Sequence, residues 1–247
     1  MKLVTEKDPT VVDSYVVTST PDLETINSFF LPEPATEPAS TMYIREPFRF
    51  VFRGYSIWLE LSQTDHDLDN AVAKAAMDNG LFPIPEPHCT VIYGVTHMTE
   101  AEARRSFLEK VVPAVEQWPA LETKGSHCGF CFDGVDGEEM DMAWAEITLA
   151  SSPEHENLVD KVHDCFYGVD NCDPAEDKER VGPWKPHVSL AYDNPEGSAL
   201  DDLSADKIFA THPTLLGRKK RDVLAISLWS TEGTINQWKK LERYTFQ

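Results

Sequence analysis

Two segments of the chain, "EPHCTVIYG" and "KPHVSLAY", share the pattern Pro-His-x-hydroxyl followed by apolar residues: Pro87, His88 and Thr90 in the first, Pro186, His187 and Ser189 in the second. Both runs read as strands, and in a strand residues i and i+2 project from the same face. His88 therefore shares a face with Thr90, and His187 with Ser189. Set side by side, the two strands would offer two imidazoles and two hydroxyl donors. That set suits phosphate-ester hydrolysis: one histidine takes a proton from water, the other protonates the departing oxygen, and the hydroxyls bind non-bridging phosphoryl oxygens. An unperturbed imidazole titrates at about 6.5, so both protonation states are accessible near neutrality. No metal is required for this chemistry. A lone His-x-Thr more often satisfies a buried hydrogen bond; a pair in matching contexts favours function. Which histidine is base and which is acid is left open by spacing alone.

The elements that must carry these strands alternate in type. "YSIWLEL" reads as a strand, and Thr64 with Asp67 offers an N-terminal cap for a helix through "DHDLDNAVAKAAMDNG" that Gly80 can end. The first motif strand follows at His88–Val95. Thr99 with Glu102 forms a capping box, and Phe107, Leu108, Val111, Val112 and Val115 supply an apolar stripe. "ALETKGSHCGFCF" and "MAWAEITLA", separated by "DGVDGEE", read as a hairpin. Ser152-Pro153 opens a helix with Leu158, Val159, Val162 and Phe166 spaced for burial, and the second motif strand comes after an acidic loop. A short helix around "LDDLSADKIFA" and two strands, "VLAISLWST" and "WKKLERYTF", follow. Each half places one motif strand after a helix, as two lobes about a pseudo-twofold axis would.

Composition limits the partners. The 247 residues carry a formal net charge of −20 with 41% hydrophobic content, enough for a sizeable core. Such a charge disfavours broad contact with a nucleic-acid backbone, while a small anion in a shielded cleft remains compatible. The start has no secretory pattern and no stretch reads as a membrane span, so the expectation is a soluble protein of the cytoplasm or nucleus; a monomer is the expected state. Five cysteines, an odd number, fit a reducing compartment. Residues 1–50 mix acidic residues with Pro, Ser and Thr without a sustained period and read as an extension of unreadable role; residues 51–247 read as the main body.

Taken together, "YSIWLEL", "PHCTV", the hairpin beginning "LETKGSHCGFCF" and "KPHVSLAY" resemble the 2H phosphoesterase superfamily, most closely its plant- and fungal-type cyclic phosphodiesterase branch. The resemblance covers the chain from Tyr55 onward and rests chiefly on the two His-x-[Thr/Ser] motifs. It implies a bilobal α+β fold with antiparallel sheets lining a central cleft and helices outside. It also implies metal-independent, cofactor-free opening of ADP-ribose 1″,2″-cyclic phosphate or nucleoside 2′,3′-cyclic phosphates to 1″- or 2′-phosphates. By position, His88 and His187 become the catalytic pair and Thr90 and Ser189 the phosphate-binding hydroxyls. Trp58 and Tyr192 match aromatic positions of the family's substrate cleft, where core packing is the alternative. The family can carry a cysteine pair where Cys165 and Cys172 stand, with two reduced thiols as the alternative. The N-terminal extension, the long acidic loop before Trp184 and Cys89 inside the first motif depart from the small plant-type pattern and leave substrate choice open.

Other features carry less. Cys128 and Cys131 form a Cys-x-x-Cys in a strand with no second pair to complete a zinc site. "GRKKRD", residues 217–222, could steer RNA ends or anionic nucleotides, or be a solvated loop, and Lys185 could add positive potential near His187. The His-Asp pairs at His66 and His163 suggest a rival, a metal-dependent phosphohydrolase, but sit on amphipathic helices in a strand-rich pattern. A second rival is a binding module for nucleotides or RNA ends that keeps the cleft without turnover.

Overall fold

The computed structural model describes residues 47–61, 66–132, 140–168, 182–194, 208, 210–217 and 220–247. The chain divides into two units, Met1–Arg45 and Glu46–Gln247. The second holds every element below, and Phe48, a few residues before the boundary expected at 51, is already buried in its core. The N-capping expected from Thr64, most of the acidic loop, most of the short helix around 200–210 and Cys172 lie outside the described residues.

The architecture is α+β, built on one nine-stranded antiparallel sheet. In chain order its strands are β1 (Tyr55–Leu61), β2 (Phe82–Pro83), β3 (His88–Val95), β4 (Leu121–Phe132), β5 (Met140–Ala150), β6 (His187–Asp193), β7 (Lys220–Arg221), β8 (Val223–Ser230) and β9 (Lys239–Thr245). Their spatial order is β7-β4-β5-β6-β3-β1-β8-β9, with the two-residue β2 on β6. The motif strands β3 and β6 therefore meet at the centre, and each is flanked outward by three strands. The two expected lobes join in this sheet, because the motif strands pair with each other at Cys89↔Val188. The chain crosses this seam late, since β8 and β9 return to the half that contains β1 and β3.

Helices bury the apolar face. Helix α1 (His66–Asp78) places Leu68, Val72, Ala75 and Ala76 inward, and Gly80 ends the segment at φ 64°. Helix α2 (Glu100–Ser106) begins at the expected capping box of Thr99 and Glu102. It runs into a π-helical turn, Phe107–Val111, and a short helix α3 (Val112–Ala114). The wider π turn aligns Phe107, Val111 and Val115 four residues apart, all fully buried, and rotates Leu108 out to 49% exposure, so Leu108 leaves the expected stripe. Helix α4 (Pro153–Tyr167) opens at Ser152, whose capping box is closed by His155 in place of a carboxylate. The packing is reciprocal: α1, which follows β1, packs on β6 of the other half, and α4, which precedes β6, packs on β3. No described helix is long and apolar enough to cross a membrane.

Candidate active site

The seam brings the motif side chains onto one face. Pairing is antiparallel about Cys89↔Val188, so His88 comes opposite Ser189 and Thr90 opposite His187. Cys89, on the opposite face, is buried, and burial pushes its thiol up to about 12, which keeps it a thiol.

The proline of each motif has a structural part. His88 Nδ1 lies 2.6 Å from the carbonyl of Glu86, and His187 Nδ1 lies 3.0 Å from the carbonyl of Lys185, in both cases the residue before the proline. A carbonyl can only accept, so both rings donate from Nδ1, and each neutral ring keeps its lone pair on Nε2. Proline fixes its own φ and holds the preceding residue extended, and this turn delivers that carbonyl to the ring.

The surroundings of the two rings differ. His88 is 3% exposed and stacks on Trp58, with ring centroids 3.4 Å apart and planes 8° from parallel. Burial strips an imidazolium of water, and the charge of His187 opposes it further. Donation to Glu86 and the carboxylate of Glu60 work the other way, yet the ring is held down at about 3. A cation over the Trp58 face would gain roughly 0.5–2 kcal/mol, less than the several kcal/mol an ion loses on full burial. His88 is therefore neutral at physiological pH. His187 is half-buried, and its Nε2 lies 3.8 Å from Glu146 Oε2, an ion pair when the ring is protonated.

Ser189 is buried and Tyr192 donates its phenol to Ser189 Oγ at 3.1 Å. Simple alternation would put these residues, three apart, on opposite faces. Register with β5 runs Ala145↔Ala191 and then Glu146↔Ser189, which leaves Leu190 as the extra residue of a β-bulge. The bulge inverts parity and turns Tyr192 to the face of Ser189. Burial pushes the Tyr192 phenol up to about 12, so it stays a donor. It packs among Phe48, Phe52 and Trp238. Trp58 likewise is 2% exposed and sandwiched between His88 and Trp229. Both aromatics thus support site residues from within the core. Thr90 is half-buried, and its carbonyl accepts from Trp184 Nε1 at 2.9 Å.

Glu60 and Glu146 were missed by motif reading, though a signal existed. β1 carries Trp58-Leu59-Glu60 and β5 carries Trp144-Ala145-Glu146, the same Trp-x-Glu on the strand beside each motif strand. Their registers differ. In the first half Glu60 pairs with His88 and Trp58 with Thr90; in the second, Glu146 pairs with Ser189 and Trp144 with Tyr192. Glu60 is held by Lys240 Nζ at 2.8 Å and Arg243 Nε at 2.7 Å. Burial opposes ionisation of Glu60, but the Lys240 ammonium and the Arg243 hydrogen bond outweigh it and keep the carboxyl below its ordinary range. Glu146 accepts from Trp144 Nε1 at 2.8 Å, and its other oxygen lies 3.5 Å from His127 Nδ1. A cavity of ≈ 340 Å³ lined in part by Glu60, Glu86, Pro87, Lys240 and Arg243 opens beside the His88 strand.

Of the remaining candidates, Arg221 is 1% exposed and donates to Leu215 O and Thr123 Oγ1, so it is a structural part of the basic cluster and not a surface cation. Lys185 meets the site through its carbonyl. His163 stacks on Tyr167 within α4. Cys165 donates to Lys161 O at 3.1 Å, and its pairing with Cys172 lies outside the described residues. The side chains of His66, Cys128 and Cys131 lie outside the described set as well. Among the described residues, no group of three or more His, Cys, Asp or Glu side chains is arranged to hold a metal ion.

No protein-family model matches the chain, and no curated protein matches it. Solved structures that align with the chain include Kluyveromyces marxianus Usb1, at 13% identity and TM-score 0.44 over 78% of this chain and 96% of that one. Escherichia coli LigT complexed with 3′-AMP aligns at 10% identity and TM-score 0.45, over 80% and 98% of the two chains. TT0787 of Thermus thermophilus aligns at 13% identity and TM-score 0.44, over 78% and 97%.

Proposed function

We propose that this chain hydrolyses cyclic phosphodiesters at the face shared by His88, Thr90, His187 and Ser189. The observation that carries the reading is the Cys89↔Val188 seam, which sets two Nδ1-anchored imidazoles and two hydroxyls on one face. One Nε2 takes a proton from water as its oxygen bonds to phosphorus, and the other protonates the ring oxygen as the P–O bond breaks. Ser189 Oγ already accepts from Tyr192, so its own proton is available to a phosphoryl oxygen. The two-motif resemblance extends this to substrates: nucleoside 2′,3′-cyclic phosphates and ADP-ribose 1″,2″-cyclic phosphate, or a cyclic phosphate at a short RNA end. The net charge of −20 favours these over long RNA.

The test is a panel of the three cyclic phosphates with and without chelator, with products identified by phosphorus NMR. Ring opening to 1″- or 2′-phosphates, undiminished by chelator, is expected. Binding without turnover would make the protein a nucleotide-binding module, and loss of activity in chelator would return the metal-dependent alternative.

A further inference from the structure

The two halves repeat Trp-x-Glu but partner the two carboxylates differently. Glu60, opposite His88, is paired with Arg243 and with Lys240, which it shares with Glu86. Glu146 has no Lys or Arg partner among the described residues; its contacts are the Trp144 indole N–H, His127 and His187. We propose that Glu146 positions His187 as the general acid and so leaves His88 as the general base. The inference rests on the cyclic-phosphate reading and deepens it.

The charges placed around the two rings carry the assignment. A general acid begins doubly protonated: His187 Nδ1–H donates to Lys185 O at 3.0 Å, and the Glu146 carboxylate, with Oε2 3.8 Å from Nε2, favours the charged ring. The second gap is wide for a hydrogen bond, so the Nε2 proton is oriented by charge and not captured, and can pass to a leaving oxygen. A general base begins neutral. His88 has its Nδ1–H on Glu86 O, its ring against Trp58 and a neighbouring carboxylate already tied to two cations. The charged and titratable groups facing the pair are thus Glu60, Glu86, Lys240 and Arg243 on the His88 side and Glu146 and His127 on the His187 side. In the reaction His88 Nε2 takes a water proton, and the water oxygen forms the new P–O bond. The old P–O electron pair moves to the ring oxygen, which takes the proton from His187 Nε2. The product is a phosphomonoester and a free hydroxyl, and the two rings exchange protonation states through solvent.

The experiment compares two five-membered cyclic phosphates, a nucleoside 2′,3′-cyclic phosphate with an alkoxide leaving group and catechol cyclic phosphate with a phenoxide one. A phenol, with pKa about 10, departs with far less need of an acid than a sugar hydroxyl. His187→Ala is expected to lose at least about tenfold less kcat/KM on the catechol ester than on the nucleotide, whereas His88→Ala loses equally on both. E146Q should follow the His187 pattern, losing roughly tenfold to a hundredfold on the nucleotide and clearly less on the catechol ester. E146D, which keeps the charge, should recover part of that loss; should E146Q not fold, E146D alone should show the same leaving-group dependence. Equal losses on both esters in the Glu146 and His187 variants, or the His187 pattern appearing in His88→Ala, would overturn the assignment while wild-type turnover upholds the functional reading. A wild type that opens neither ester overturns both.

Discussion

Tyr192 donates its phenol to Ser189 Oγ across 3.1 Å, a contact that exists because the bulge at Leu190 turns Tyr192 onto the face of the paired motifs. The contact orients the serine as a donor, so the two residues act in series. Ser189→Ala is expected to lower kcat by roughly a hundredfold or more, the effect of deleting one donor to developing charge. Tyr192→Phe should cost about 1 kcal/mol, near fivefold, by releasing the serine rotor. In the Ser189→Ala background the Tyr192→Phe effect should vanish, and a fully additive double variant would show that the phenol acts elsewhere.

The imidazole pair makes the largest claim. His88→Ala and His187→Ala should each lose roughly two to four orders of magnitude in kcat/KM on a nucleoside cyclic phosphate while the far-ultraviolet circular dichroism is retained. Turnover near the wild-type rate in either variant would remove that residue from the mechanism.

Burial of His88 makes stability depend on pH with a defined sign. Its folded value, about 3, lies below the ordinary value of 6.5, so between these limits the unfolded chain binds more protons at this site. The contribution is fully present above 6.5 and is lost as pH falls toward 3. Urea midpoints should therefore rise with pH across that window, and His88→Asn should remove about one proton from the slope. In kinetics the acidic limb of kcat/KM should fall well below pH 6.5 in wild type; a limb at the ordinary imidazole value would place another group in the base role.

Lys240 and Arg243 hold a carboxylate that is 11% exposed beside His88. Removing either cation leaves Glu60 with one partner for a buried charge. Lys240→Met and Arg243→Met are each expected to lower the unfolding free energy by about 1–3 kcal/mol. Unchanged denaturation midpoints in both would show that Glu60 is held by its strand alone.

Local rules reach a definite depth in this chain. The capping box at Thr99, the helix start at Ser152-Pro153, the hairpin of β4 and β5 and both motif strands follow from residue types within a few positions of one another, because caps and alternation are local interactions. So does the shared face of each histidine with its hydroxyl. Leu108 shows the first limit, since a π turn changes the period on which its stripe was counted. The bulge at Leu190 shows the second: period-two reading cannot register an extra residue, and only the partner strand reveals it. The division between the two Trp-x-Glu segments lies deeper still. The sequence by itself determined that each half has a histidine, a hydroxyl, an indole and a carboxylate. Tertiary structure alone decided that Glu60 meets two cations from β9 while Glu146 faces His187, because strand register and the late return of β8 and β9 join residues that no local spacing relates.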